Sequence, residues 1–78
     1  MDLITVMLAL YASEINCGME SFWDGGFTVW LGCKNMGDNT DEKHFYANEL
    51  VKDAGKWLHD SALRHYPNSV YTMNSVDA

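Results

Sequence analysis

Leu3, Ile4, Met7, Leu8, Tyr11, Ala12 and Ile15 recur at the 3, 4, 7, 8 spacing of one helical face. Asp2 is placed to cap that helix and Gly18 to end it in a left-handed turn, so the pattern predicts a first helix over 3–16. From Met19 to Cys33 the period changes to two. Phe27, Val29, Leu31 and Cys33 alternate with Thr28, Trp30, Gly32 and Lys34, and Asp24-Gly25-Gly26 supplies residues that tolerate the positive φ of a tight turn. The segment reads as a β-hairpin. A turn centred on Asp24-Gly25 or on Gly25-Gly26 gives the same side-chain parity. Phe22 then shares the face of Phe27, Val29 and Leu31, and Met19, Ser21 and Trp23 share that of Thr28 and Trp30.

Asn35 to Asp41 has loop composition, and a third strand is expected at about 43–48. A second helical stripe runs through Leu50, Val51, Ala54, Trp57, Leu58, Ser61, Ala62 and His65. It starts near Glu49 and ends before Pro67. Ser69 to Met73 reads as a short extended segment, and the last residues as frayed. The predicted fold is α+β, in the order α-β-β-β-α: a three-stranded antiparallel sheet with two helices on one face, the stripes of both meeting Phe22, Phe27, Val29 and Leu31. The other face then carries Trp23 and Trp30 as diagonal neighbours.

A length of 78 residues makes this one domain, residues 1–78, with a thin core. Five Lys and Arg against 11 Asp and Glu give a net charge of −6, which argues against direct binding to nucleic acid or to an anionic membrane. The apolar run from Leu3 to Ala12 is too short to span a bilayer, and the N-terminus lacks the basic start of a signal peptide. Two cysteines, Cys17 and Cys33, are too few for a disulfide scaffold, so a cytoplasmic chain with both thiols in or near the core is expected.

Candidate chemistry is sparse. His44, His59 and His65 are scattered, no paired Cys or His spacing suggests zinc, and a Cys33–His44 nucleophile pair has no support in the flanking sequence. Asp38 to Glu42 fails the calcium-loop template, since Thr40 takes the third ligand position and Lys43 the glycine position. No cofactor and no enzymatic activity are expected. What remains is an aromatic pair, Trp23 and Trp30, and an acidic set, chiefly Asp24, Asp38, Asp41 and Glu42. Exposed aromatics are the composition of interface hot spots. The acidic residues give a field that suits a basic protein surface, including one that normally holds nucleic acid.

The stretch Ser21-Phe22-Trp23-Asp24-Gly25-Gly26-Phe27-Thr28-Val29-Trp30-Leu31-Gly32 resembles a hairpin found in small proteins of phages, prophages and alphaproteobacterial genomes. The likeness extends to Glu14-Ile15-Asn16-Cys17, to the helix around Trp57-Leu58, and to His65-Tyr66-Pro67-Asn68-Ser69, and the chain departs from the pattern between Asn35 and Lys52. In size, acidity and phage-like kinship it also resembles anti-CRISPR proteins. That resemblance implies a stoichiometric inhibitor, monomeric or homodimeric, that binds a CRISPR effector subunit in the host cytoplasm and blocks DNA recognition. The alternative is a small non-inhibitory protein-interaction module, with homodimerisation as one form of it.

Overall fold

A computed structural model describes residues 1–33 and 37–76, with Asp38, Asn39 and Val76 described by their backbone alone. Of the loop expected over 35–41, residues 35 and 36 lie outside that range, as do Lys34 and the last two residues, which are expected to be frayed. Helix α1 (Leu3–Ala12) is followed by strands β1 (Cys17–Phe22), β2 (Gly26–Cys33) and β3 (Asp38–Phe45). A helical rod then runs as α2 (Ala47–Glu49), a π-helical turn (Leu50–Ala54) and α3 (Gly55–His65), and helix α4 (Val70–Val76) follows. The strands form one antiparallel sheet in the order β1-β2-β3. The α+β fold is as the pattern predicts, with the helices on one face. Val29 and Leu31 of β2 and Phe45 of β3 are buried there with Leu10 of α1 and Leu58 and Ala62 of α3.

Several local expectations are corrected. Helix α1 ends at Ala12, four residues early. The amide of Ile15 donates to the Leu10 carbonyl and that of Glu14 to the Tyr11 carbonyl, with Glu14 at φ 62. This is a Schellman ending, with buried Leu10 and Ile15 supplying its apolar residues. The left-handed position falls on Glu14 and not on Gly18. The buried stripe of α1 is also displaced, to Leu3, Val6 and Leu10, leaving Ile4, Leu8 and Tyr11 exposed. The helix is apolar almost all round, so spacing alone did not single out the packed side.

The hairpin has a three-residue loop, Trp23-Asp24-Gly25. The Gly25 amide donates to the Phe22 carbonyl, and Gly26 follows at φ +90, a conformation that suits glycine. Relative to a two-residue turn this slips β1 by one position and exchanges its faces. Met19 opposes Val29 and Ser21 opposes Phe27, while Phe22 opposes Gly26 on the uncovered side and is exposed.

Strand β3 begins at Asp38 and ends at Phe45, earlier than the 43–48 expected. Leu31 pairs with Asp41 and Gly32 with Asn39, so Thr40 is the extra residue of a bulge. The Thr40 hydroxyl meets the Tyr66 hydroxyl at 3.2 Å. The segment expected to be extended is helix α4. Ser69 caps it, its Oγ accepting from the Thr72 amide at 3.2 Å, and Tyr71 packs its ring edgewise on His59 of α3.

Candidate interaction surface

Register decides which side chains share the uncovered face. Glu20 opposes Thr28, Thr28 opposes His44, and Trp30 stands between Gly18 and Glu42. Thr28 Oγ1 and His44 Nδ1 are 3.2 Å apart, and the His44 ring meets Tyr46 edge-on at 5.6 Å. Trp30 lies flat across Gly18, so close that a Cβ at that position would strike the indole ring. This half-buries Trp30 on a face that no helix covers.

Trp23 is in a different situation. It occupies the hairpin turn and is 99% exposed. Trp30 pairs four residues further along the strand from Gly26, about 13 Å at strand rise, so the structure does not bring the two tryptophans together. Trp23 instead has Phe22, Asp24 and, across a shallow concavity, Tyr46 and Ala47 as neighbours. Phe22 and Tyr46 are both exposed. Glu49 fixes the Tyr46 backbone, its carboxylate accepting from the Tyr46 amide at 3.0 Å. Sequence reasoning does not find Phe22 and Tyr46 here: a two-residue turn assigns the first to the covered face, and a strand over 43–48 runs through the second.

The acidic set disperses. Asp24 is exposed in the turn, Glu42 is exposed on the uncovered face, and Asp38 opens β3 opposite Cys33. Asp41 points the other way, since it opposes buried Leu31 and lies under α3. Its Oδ2 accepts from Ser61 Oγ at 2.7 Å and from Arg64 Nη2 at 3.0 Å, and lies 3.5 Å from His65 Nε2. Partial burial pushes the carboxyl pKa up. The Ser61 hydroxyl, the Glu42 amide and the neighbouring His65 and Arg64 more than offset this and hold it below the usual carboxylate value. Asp41 is thus a latch between β3 and α3. The signal for it was present in Ser61, Arg64 and His65 at i, i+3 and i+4 on one helical face, which is where a single inward acid finds its donors.

Ser61, His65 and Asp41 are the residue types of a hydrolase triad, but the wiring differs. Ser61 donates to the aspartate and not to the histidine, and it is fully buried, out of reach of a substrate. Among the described residues no three His, Cys, Asp or Glu side chains gather as a metal site needs. Both cysteines are free and half-buried, and burial raises the Cys17 thiol pKa. Among the described residues no helix is long and apolar enough to cross a membrane.

Set against protein-family models, curated proteins and solved structures, the chain matches none of them. The resemblance drawn from the hairpin motif therefore rests on those residues alone.

Proposed function

We propose that this protein acts by binding another protein through its hairpin tip, without catalysing a reaction. The observation that carries the proposal is Trp23, 99% exposed on a turn whose ends are fixed by the β1–β2 pairing. A large aromatic held in water on a rigid support loses little conformational freedom when a partner covers it, and such residues dominate interface energies. Phe22 and Tyr46 extend the apolar contact. Asp24 sets a negative charge beside it, on a chain of net charge −6. The partner that fits is a protein with an apolar pocket rimmed by basic residues.

The specific form of this reading is a phage inhibitor of the anti-CRISPR type, acting in the host cytoplasm on a CRISPR effector subunit. It is supported by the acidity and by the resemblance of the hairpin motif. Stoichiometric binding requires inhibition to saturate at a fixed ratio of protein to effector, whereas an enzyme would act at substoichiometric amounts. The test is inhibition of DNA cleavage by purified effectors, with Trp23→Ala as control. The variant is expected to keep the wild-type melting temperature and to bind about 5–30-fold more weakly. Unchanged inhibition by Trp23→Ala would remove the tip from the contact. No inhibition of any effector would remove the anti-CRISPR reading while leaving tip-mediated binding to be sought by pull-down.

A further inference from the structure

Helix α1 buries one side and leaves an equally apolar side in water. Ile4 is 54% exposed, Leu8 63% and Tyr11 81%, and no charged residue occurs from Leu3 to Ser13. A helix that is apolar all round is ordinarily covered all round. The patch does not stop at the helix. A groove lined by Ile4, Met7, Leu8, Tyr11, Ile15 and Cys17, with Asn16 as its one polar side chain, runs to the start of edge strand β1, and a second concavity joins Ile4 and Asp2 to Met19, Leu50 and Val51, the last 82% exposed.

We propose that this surface is the contact between two copies of the chain, packed α1 against α1 about a two-fold axis near Leu8. Three observations favour a second copy over a different partner. The first is spacing. Ile4, Leu8 and Tyr11 stand at i, i+4 and i+7, the seam of a paired helix, and an antiparallel crossing whose axis passes between Met7 and Leu8 sets Ile4 of each copy against Tyr11 of the other. The second is area. The exposed parts of Ile4, Leu8, Tyr11, Met19 and Val51 sum to on the order of 600 Å², taking about 150–230 Å² for a fully exposed large side chain, and a standard interface uses about 800 Å² per partner. The third is charge. Helix α1 carries no charge between Asp2 at its cap and Glu14 beyond its end, so two chains of −6 meet least repulsion along this stretch, with those two carboxylates at its margins. A basic partner of the kind the hairpin tip suits finds no acidic residue along the helix itself. This contact is independent of the function proposed above.

Sedimentation velocity of the full chain over a micromolar concentration series tests the proposal. The wild type is expected to move from the 8.8 kDa species to one of twice that mass, about 17.6 kDa, and to do so no less readily as salt rises, because screening relieves the repulsion between two acidic chains. Leu8→Glu and, separately, Tyr11→Glu should each weaken the association at least tenfold while keeping the wild-type circular dichroism spectrum and melting behaviour of the monomer. Both side chains are mostly exposed, so at least one variant should fold. A wild type that stays monomeric at about 100 μM overturns the proposal. So does a dimer that a folded variant leaves unchanged, since another face would then make the contact. Association that weakens steeply with salt overturns it as well, because the interface would then be ionic.

Discussion

Replacing Asp41 with alanine removes the acceptor on which α3 closes over β3. Ser61 is fully buried, and its hydroxyl donates to Asp41 Oδ2 at 2.7 Å. Among the described residues no buried side-chain nitrogen or oxygen lacks a partner, so the variant creates an orphan. Leaving a buried hydroxyl unpaired costs about 1–3 kcal/mol. The lower end applies if Ser61 turns to the carbonyl one helical turn back. The Arg64 pair adds at most ~0.5–1 kcal/mol, because that guanidinium is 62% exposed. The expected loss is about 2–3 kcal/mol, a large share of the roughly 4–12 kcal/mol that a chain of this length has. Urea denaturation followed by tryptophan fluorescence reads it directly. Asp41→Asn, which keeps one carbonyl acceptor, should lose less. In a double-mutant cycle with Ser61→Ala the two losses should fall short of additivity by about 1 kcal/mol or more. The sign of the pH dependence follows from the depressed carboxyl pKa. A carboxyl that ionises more readily when folded stabilises the fold fully above its unfolded pKa, near 3.9, and that stabilisation fades as pH falls through the folded value. The gap between wild type and Asp41→Ala should therefore narrow below about pH 4. A variant within about 0.5 kcal/mol of wild type, or an additive cycle, would refute the latch.

Three smaller outcomes follow from the same geometry. Glu14→Gly should raise stability by up to about 1 kcal/mol in thermal melts, since glycine tolerates the left-handed φ of 62 that glutamate holds with strain. Gly18→Ala should cost about 1–3 kcal/mol by lifting Trp30 off the sheet, visible as a shift of tryptophan emission. Leu31→Ala should cost about 2–5 kcal/mol, as expected of a fully buried leucine, and Thr28→Ala on the opposite face much less; equal losses would mean the faces are misassigned.

The alternation of Phe27, Val29 and Leu31 was enough to place the central strand and its covered face, because a period of two survives any choice of turn. What failed was whatever depended on a single residue of register. A loop of three residues in place of two puts Phe22 on the uncovered face and Met19 on the helix side of the sheet, where it is still 37% exposed. The polar stretch from Asp38 to Asp41 read as a loop because Asp and Asn disfavour strands, yet pairing to β2 holds it extended and a bulge at Thr40 absorbs the misfit. Asp41 therefore looked like a surface charge, although its parity carries it under the helix. For α1 the failure was of contrast, since Ile4 and Leu8 are as apolar as the buried Leu3, Val6 and Leu10, and Tyr11 differs from them only by its hydroxyl-bearing ring. Helix α4 was within reach of the sequence, as Ser69 two residues after Pro67 is a capping signal that the extended reading passed over.

The three tryptophans have three different surroundings. Trp23 stands in water, Trp30 rests on the Gly18 backbone, and Trp57 is half-buried with its ring edge-on to Phe45 at 5.9 Å. The molecule thus contains its own spectroscopic reporters. An aqueous quencher will first reach Trp23, at the proposed contact, while Trp57 follows the helix-to-sheet packing. Loss of quenching with Trp57 emission unchanged marks a partner seated on the tip, and a red shift of both half-buried indoles marks unfolding. One label-free titration can therefore separate recognition from denaturation, a distinction that a small domain with a single tryptophan seldom permits.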